Sequence, residues 1–378
     1  MDAGIPCVSQ LPLGTRLVVE TSAALDVGLR TAAASVVAAS FLPRFVDPRS
    51  GREERRTLEH YSALAAQTDA AASFPVPGPL PEVRRSNPGA LRFPLRGGGV
   101  DALRFDSPFE AVNPEMRQRY GAFRANRVAH AQHWRHDDGP RPTLCVIHGF
   151  MSSPYLLNGG FFALPWWFHQ GYDVLLYTLP FHGARRERLE PYSGYGCFAY
   201  GISVFCEAMA HAVHDFRLFV DYLHGRGVEQ VGVTGISLGG YVTALLAAVE
   251  PRLAVAIPNV PVADMGRLFP QWAPAGTLLA AGRRIGLYPG DAMDAALEFH
   301  SPLTYKPVLP WERRMIITGL GDRLSPPEQS ALLWEHWDRC QLSWFPGNHI
   351  GHIHRSAYLR QMARFMRHNG FAPKEWLR

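Results

Sequence analysis

The sequence predicts an α/β fold in which a mostly parallel, doubly wound sheet is covered by helices on both faces. From Pro142 onward, short, largely apolar runs such as TLCVIHG at 143–149 and YDVLLYTLP at 172–180 alternate with longer amphipathic segments. Parallel strands are buried on both faces and therefore form continuous apolar runs, and a helix usually makes each crossover. The amphipathic segment at 204–227 ends on glycine, and a later alanine- and leucine-rich segment ends at Pro251, as helices commonly do.

The first part of the chain is predicted to be a helical extension. Residues 20–73 are rich in alanine and carry apolar side chains at helical spacing, which favours helices. The segment FPVPGPLPE at 74–82 then supplies several prolines and a glycine, which cannot continue a helix. The sequence therefore predicts an N-terminal helical extension with a proline-rich linker at 1–82, followed by a main domain at 83–378.

Two further features complete the predicted architecture. Apolar and polar residues alternate in 100–112 and in 127–136, a pattern typical of antiparallel strands. Between the apolar runs at 253–261 and 313–319 lie about 50 residues with several prolines and apolar helical pieces. Because this connection is longer than is usual between two strands, it predicts a lid-like helical insertion at about 263–310.

The charge pattern bears on the class of partner. The formal net charge is +5, a value that by itself is compatible with an anionic partner. However, the basic residues are arginines apart from Lys306 and Lys374, and they form no run of the kind that binds nucleic acids. We therefore predict no nucleic-acid partner.

The cysteines and the N-terminal residues bear on location. The 5 cysteines are odd in number and lack CxxC spacing, which argues against a disulfide framework or a structural zinc site and favours a reducing compartment. The N-terminus lacks the basic region and apolar core of a secretory signal. The uncharged segment Thr31–Leu42 has 12 residues, fewer than the roughly 20 that cross a bilayer. We expect a cytoplasmic protein without a transmembrane segment.

One serine stands between glycines where a predicted strand meets a predicted helix. The segment GISLGG at 235–240 contains the pattern G-x-S-x-G. A strand that turns into a helix within one or two residues strains its turn residue, and the neighbours of that residue must lack bulk. The serine then projects from the carboxyl edge of the sheet, at a helix N-terminus that favours developing negative charge. The pattern indicates a nucleophile elbow with Ser237 as nucleophile, and the alternative is a tight turn with an inert serine.

With this elbow, the chain resembles the α/β-hydrolase superfamily, in its serine esterase and lipase-like branch, over roughly Leu103 to Arg378. The sequence His148-Gly149-Phe150, directly after an apolar strand, is similar to the HG loop of that family. The resemblance implies an α/β-hydrolase fold. It also implies an oxyanion hole formed by the backbone N–H groups of Phe150 and Leu238.

Two more residues are similar to the acid and the histidine of the family. Asp322 follows the strand in MIITGLGDRLSPP, and His349 lies in WFPGNHIGHIH, 27 residues later. A serine hydroxyl needs an imidazole to take its proton and a carboxylate to orient that imidazole. The chain order Ser, Asp, His matches the family pattern. The resemblance implies a triad of Ser237, Asp322 and His349, with Asp264 and His352 as the alternative acid and histidine.

The histidines near the C-terminus have a second interpretation. His349, His352 and His354 lie within six residues of one another and could ligate zinc. No carboxylate or cysteine accompanies them locally, and their spacing differs from that of HExxH. We therefore predict no metal site and expect one of these histidines to be catalytic.

Residues that contact the substrate are less sharply defined by the sequence. His182, in a second HG sequence, is expected to be structural or to touch the substrate, and the arginines at 185, 186 and 188 are expected on a solvated face. Trp166, near the HG loop, and Phe269, in the predicted insertion, are aromatic candidates for an apolar acyl pocket. Packing in the core is the alternative interpretation of both.

The sequence thus predicts a serine hydrolase that cleaves a carboxylic ester, with an apolar acyl group suiting its aromatic residues. The reaction passes through an acyl-enzyme and needs no cofactor, and the partner is a small-molecule ester. Two alternatives stay open: an acyltransferase on the same fold, and a catalytically silent binding protein on a hydrolase scaffold. A haloalkane dehalogenase is disfavoured because those relatives carry aspartate where Ser237 stands. The pattern assigns neither an oligomeric state nor a role to the first hundred residues.

Overall fold

The strands form one large sheet. The structure, a computed structural model, describes residues 4–45, 48–89, 95–151, 155–285 and 290–373. The strands in this part of the chain are β1 (Arg84–Ser86), β2 (Gly98–Asp106), β3 (Val128–His136), β4 (Thr143–Ile147), β5 (Asp173–Tyr177), β6 (Val231–Ile236), β7 (Leu253–Asn259), β8 (Met315–Gly319) and β9 (Gln341–Phe345). Their spatial order is β1-β2-β3-β5-β4-β6-β7-β8-β9.

The sheet is antiparallel at one end and parallel elsewhere. β1, β2, β3 and β5 pair with one another antiparallel. The pairs β5–β4, β4–β6, β6–β7, β7–β8 and β8–β9 are all parallel. This arrangement confirms the mostly parallel sheet, and it confirms the two antiparallel strands that the alternating segments predict. The carboxyl ends of β4 and β6 to β9 therefore meet at one edge, where parallel α/β sheets bind their ligands.

Helices cover both faces of the sheet, as the continuous apolar strands require. The helices in the described part are α1 (Leu13–Phe45), α2 (Pro48–Gln67), α3 (Ala70–Ser73), α4 (Arg117–Gly121), α5 (Tyr155–Phe161), α6 (Leu164–His169), α7 (Tyr195–Ala199), α8 (Ile202–Gly225), α9 (Leu238–Val249), α10 (Met265–Leu268), α11 (Ala275–Arg284), α12 (Gly290–Glu298), α13 (Pro327–His336) and α14 (Arg355–His368). One buried core contains α8 and α9, and a second contains α6 and α14. The N-terminal helices and the helical insertion α10 to α12 between β7 and β8 confirm those parts of the predicted fold class.

The N-terminal helices share the main core. Ala34 of α1 and Leu58 of α2 are fully buried in the same apolar cluster as α8 and α9. Tyr61 of α2 also donates a hydrogen bond to Glu207 of α8 at 2.6 Å. The helical extension therefore packs onto the sheet domain, and the division of the chain near residue 82 stays a prediction.

Helix α1 is longer than the sequence pattern indicates. The segment Thr31–Leu42 belongs to a helix of 33 residues. Within that helix, Leu13–Ser40 is long and apolar enough, by length and composition alone, to cross a membrane, and 33% of its apolar window is buried against the protein. A core helix of a soluble protein meets the same criterion. The predicted cytoplasmic location therefore stays a prediction.

The arginine cluster beside His182 departs in part from the sequence prediction. Arg186 and Arg188 are exposed as expected, but Arg185 is fully buried. Its guanidinium lies 2.8 Å from the buried carboxylate of Asp215 on α8 and donates to the carbonyl oxygen of Asn126. A buried guanidinium is stable only when it is paired in this way. The expectation of a solvated face fails at Arg185 because its partner is remote in sequence.

Candidate active site

Ser237 occupies the tight turn between β6 and α9. Its backbone has φ 59° and ψ −117°, a combination that a residue with a side chain rarely adopts. The N–H group of Ser237 donates to the carbonyl oxygen of Asn259 at the end of β7, at 3.1 Å. The neighbouring strand thus holds the strained turn at the carboxyl edge of the sheet.

The glycines on either side of the serine are required by close packing. A Cβ atom at Gly235 would lie 2.4 Å from the carbonyl oxygen of Gly239, and one at Gly239 would lie 2.1 Å from that of Ile147. Both distances are far below van der Waals contact, and the opposing atoms are backbone. Only glycine at both positions lets α9 begin directly against β4 and β6, which is the steric reason for the G-x-S-x-G pattern.

The HG loop after β4 lies against this turn. A Cβ atom at Gly149 would lie 3.4 Å from the Cβ of Ser237. His148 fixes the loop, since its Nδ1–H donates to the carbonyl oxygen of Gly149 at 2.9 Å and its Nε2 accepts from the N–H of Leu179 at 3.1 Å. Burial lowers the pKa of His148 to about 4, so the neutral ring that this pairing requires is the stable form at neutral pH. Phe150, the next residue, is thereby held close to the serine turn.

Asp322 and His349 form a buried pair at the ends of β8 and β9. The Nδ1 of His349 lies 2.6 Å from Oδ2 of Asp322. The other carboxylate oxygen, Oδ1, accepts the N–H of Ser325 at 2.7 Å. Asp322 is fully buried and His349 is 6% exposed. The carboxylate therefore fixes the orientation of the imidazole and leaves its Nε2 for another partner.

Electrostatics couple the two side chains. Burial raises the pKa of Asp322 to about 6, although the charge of His349 and its hydrogen bond act in the opposite direction. Burial alone would lower the pKa of His349, but the charge of Asp322 and its hydrogen bond outweigh burial and raise that pKa above its ordinary value of 6.5. The pair therefore stabilises a positively charged imidazole more than water does.

Ser237 and His349 follow strands that run in the same direction. β6, β7, β8 and β9 are neighbours and pair parallel, so the residues after β6 and β9 lie at the same edge of the sheet. After the loop of His349, the guanidinium of Arg355 donates to the carbonyl oxygens of Gly160 and Phe161, at 3.1 and 3.0 Å. Both acceptors lie at the end of α5, which follows the HG loop of β4.

The alternative acid and the alternative histidine have other partners. Asp264 caps α10, since its Oδ1 accepts the N–H of Arg267 at 2.9 Å and its Oδ2 lies 3.1 Å from the guanidinium of Arg267. The Nδ1 of His352 lies 2.6 Å from the hydroxyl of Tyr358, and its Nε2 donates to the carbonyl oxygen of His349. Both ring nitrogens of His352 are therefore occupied. The geometry favours the pair Asp322 and His349 over either alternative.

Comparison with solved structures identifies the fold. No family model matches the chain. The fold is similar to that of the acetyl xylan esterase from Paenibacillus sp. R4, with a TM-score of 0.57 and 15% identity over 84% of this chain and 94% of that one. It is also similar to acetyl xylan esterase 1 from Thermoanaerobacterium sp. JW/SL YS485, with a TM-score of 0.54 and 15% identity over 82% and 93% of the two chains. Identities this low show a shared fold alone.

A sequence relative exists in Mycobacterium tuberculosis. The uncharacterized protein Rv2627c of strain H37Rv is 31% identical over 317 residues, which cover 80% of this chain and 71% of the relative. The uncharacterized protein MT2702 of strain CDC 1551 matches equally well. The chain therefore belongs to the family of these mycobacterial proteins, and its fold is the α/β-hydrolase fold.

The predicted substrate-contact residues lie in different places. Phe269 of the insertion contacts Phe198 at 5.7 Å between ring centroids, and Phe198 contacts Phe150 of the HG loop at 5.0 Å. Phe269 is thus linked to the site by an aromatic wall. Trp166 packs instead on the second core, beside Trp167 of α6. Its position fits the alternative interpretation, packing in the core.

His182 lies beneath the site. It is fully buried, its ring centroid lies 5.0 Å from that of His148, and its Nδ1–H donates to the carbonyl oxygen of Pro180 at 2.8 Å. Burial lowers its pKa to about 3, so the ring is neutral at neutral pH. The sequence left open a structural role and a role in substrate contact. These contacts fit the structural role, since His182 packs against His148 of the HG loop.

No clustered metal ligands are found in the described ranges, where no group of three or more His, Cys, Asp or Glu side chains could hold a metal ion. His354 is exposed at the start of α14, and His352 is engaged by Tyr358 and by the backbone of His349. The three histidines therefore point to different surroundings instead of converging on one position.

Sequence reasoning missed one part of the candidate site. Helix α1 contacts the loop after Asp322 and the loop that carries His349. Asp26 of α1 accepts two backbone N–H groups just after Asp322. The side-chain amide of Asn348, next to His349, donates to the carbonyl oxygen of Ser22 in α1. The available signal was the single acidic residue in a long apolar segment: between Glu20 and residue 47, Asp26 is the only acid. An isolated acid on the buried face of an apolar helix indicates a specific partner.

Proposed function

We propose that the protein is a serine hydrolase that cleaves carboxylic esters through an acyl-enzyme on Ser237. The observation that carries this proposal is the strained serine turn at the end of β6 together with the buried pair of Asp322 and His349 on neighbouring strand ends. A serine in an ordinary helix cap would not need a backbone at φ 59°. Such strain persists in proteins mostly where it serves a site.

The proposed chemistry follows from proton transfer within this group. The hydroxyl oxygen of Ser237 attacks the ester carbonyl carbon while its proton passes to Nε2 of His349. Asp322 accepts a hydrogen bond from Nδ1–H and stabilises the imidazolium. The imidazolium then protonates the departing alkoxide, which leaves as the alcohol. Water, deprotonated by the same imidazole, attacks the acyl-enzyme and releases the carboxylic acid and free Ser237.

Two backbone amides are proposed to stabilise the oxyanion of each tetrahedral intermediate. Leu238 is the first residue of α9, so its N–H has no acceptor within the helix. Phe150 follows Gly149, which lies against Ser237, and its N–H is the proposed second donor. Each such donor, aimed at charge that develops in the reaction, contributes about 10²- to 10³-fold to kcat.

The surroundings of the proposed site support an apolar acyl group. The rings of Phe150, Phe198 and Phe269 form a continuous wall from the HG loop to the insertion. Burying apolar acyl carbons against such rings is favourable by about 0.8 kcal/mol per CH₂ group. We propose a neutral ester with an acyl chain that extends along this wall.

The test of the proposed function combines a covalent probe with a series of esters. A fluorophosphonate is expected to label the protein, and p-nitrophenyl esters of increasing acyl length are expected to give kcat/KM values that rise with the first added CH₂ groups. Product transfer to an added alcohol at a rate above that of hydrolysis would favour the acyltransferase. Absence of both labelling and hydrolysis would favour the silent binding protein and contradict the proposal.

Activity is expected to fall on the acid side with a midpoint above the ordinary histidine pKa of 6.5. His349 must be neutral to accept the serine proton. Burial lowers the pKa of His349, but the charge of Asp322, its hydrogen bond and the charge of Asp26 together outweigh burial and raise that pKa. Protonation therefore removes the base as the pH decreases through that raised pKa. The measurement is kcat/KM for a p-nitrophenyl ester between about pH 5 and about pH 9. A midpoint at or below 6.5 would contradict the assigned coupling.

A further inference from the structure

We propose that Asp26 of α1 is a positioning residue of the active site, and that it holds the turn after Asp322 so that the carboxyl group stays directed at His349. This inference rests on the proposed function, because it gives Asp26 a task in the same reaction. It assigns a role to the N-terminal helix, which lies far from the other site residues in the sequence.

The hydrogen bonds of Asp26 converge on that turn. One carboxylate oxygen, Oδ2, accepts the N–H of Arg323 at 2.5 Å and the N–H of Leu324 at 3.1 Å. Asp26 is fully buried. A buried carboxylate that accepts two backbone N–H groups forms strong, charge-assisted bonds, and a helix fixes its position. The first two residues after Asp322 are therefore tied to α1.

Helix α1 also holds the loop of His349. The amide of Asn348 donates to the carbonyl oxygen of Ser22 at 2.9 Å. Between the two loops, a Cβ atom at Gly321 would lie 2.9 Å from the Cβ of Ser22 and 3.0 Å from the carbonyl oxygens of Val19 and Gly347. The loop after β8, the loop after β9 and α1 are thus in direct contact. The contact lies at Ser22, one helical turn before Asp26.

The charge of Asp26 acts on the pair as well. It raises the pKa of both Asp322 and His349, although less than the largest influence on each, which is burial. The other ionisable group close to His349 on its own loop is His352, whose pKa burial lowers to about 3, so it carries no charge at neutral pH. The charged guanidinium of Arg323 is directed to the carbonyl oxygen of Asp322, at 2.7 Å. In the described part of the chain, the negative charges that raise the pKa of His349 are those of Asp322 and Asp26.

Asp26→Asn separates the charge of this residue from its hydrogen bonds. The second oxygen of Asp26, Oδ1, has no hydrogen-bond partner in the part of the chain that the structure describes. An asparagine can therefore keep its amide oxygen on the N–H groups of Arg323 and Leu324. The matched control is Glu20→Gln, which removes an acidic charge from the same helix at an exposed position, where Glu20 pairs with Arg16.

The test compares the full-length wild type, Asp26→Asn, Asp26→Ala and Glu20→Gln. We expect Asp26→Ala to lower kcat about 10²-fold with little change in KM, because a displaced acid disturbs the orientation of the base more than substrate binding. Asp26→Asn should lower kcat less and move the acid-side midpoint of kcat/KM to lower pH by about half a unit or more. Glu20→Gln should resemble the wild type. Thermal unfolding establishes which variants are folded.

A second readout keeps this inference separate from the proposed function. The imidazole proton signals of His349, assigned with a His349→Gln variant, report its pKa by NMR whether or not the protein hydrolyses esters. A lower midpoint in Asp26→Asn than in the wild type supports the inference. If Asp26→Ala kept the wild-type kcat and the wild-type midpoint of His349, with only the unfolding temperature reduced, the inference would be overturned and Asp26 would be a structural residue. Failure of fluorophosphonate labelling in the wild type would count against the proposed function alone.

Discussion

Replacing Ser237 by alanine is expected to lower kcat for ester hydrolysis by about 10⁴- to 10⁶-fold, the largest effect that the proposed mechanism predicts. The substitution removes the nucleophile but leaves the two amides at Phe150 and Leu238, which account for the residual activity. The structure gives no reason for unfolding, since the side chain of Ser237 makes no capping hydrogen bond to α9. The measurement is steady-state hydrolysis of a p-nitrophenyl ester together with the thermal unfolding midpoint.

A matched serine provides the control for this variant. Ser35 is exposed on α1, and its hydroxyl donates to the carbonyl oxygen of Thr31 in the same helix. Ser35→Ala should retain the wild-type kcat and the wild-type rate of fluorophosphonate labelling. If Ser237→Ala were folded and still labelled at the wild-type rate, Ser237 would not be the nucleophile.

Replacing Asp322 by asparagine is expected to lower kcat by about 10⁴-fold. An asparagine at this position cannot stabilise the imidazolium that forms when His349 takes the serine proton. Its amide also donates to Nδ1, which places the proton of the neutral ring on Nε2, where it cannot serve as a base. The N–H of Ser325 can still donate to the remaining amide oxygen of the asparagine. The expected loss is therefore in kcat and not in folding.

Asp264 supplies the control for the acid. Asparagine caps helices as well as aspartate does, so Asp264→Asn should keep α10 intact and leave kcat within about 2-fold of the wild type. Hydrolysis of the same ester by both variants decides between the two carboxylates. A large loss in Asp264→Asn with normal activity in Asp322→Asn would show that Asp264 orients the histidine.

Much of the fold could be predicted from the sequence because its signals are local. The continuous apolar runs at β4, β5 and β6 require a sheet covered on both faces, and the glycines at 235 and 239 require a close approach of α9 to β4. These patterns depend on residues next to one another in the chain. The position of Ser237 in a strained turn could be predicted for the same reason.

Other features could not be predicted because their partners are remote in sequence. Arg185 is buried since Asp215 of α8 neutralises it, and nothing near Arg185 in the chain indicates that pairing. The contact of Asp26 with the turn after Asp322 spans 297 residues. Such contacts depend on how helices dock onto the sheet, which periodicity does not specify.

The structure of the fluorophosphonate adduct is the most direct test of the central claim, that Ser237 meets His349 and two backbone amides at one place. The account predicts phosphorus bonded to Oγ of Ser237, with the phosphoryl oxygen about 3 Å from the N–H groups of Phe150 and Leu238. It also predicts Nε2 of His349 within hydrogen-bond distance of the serine oxygen. An adduct on another residue, or an imidazole directed away from the modified serine, would contradict it.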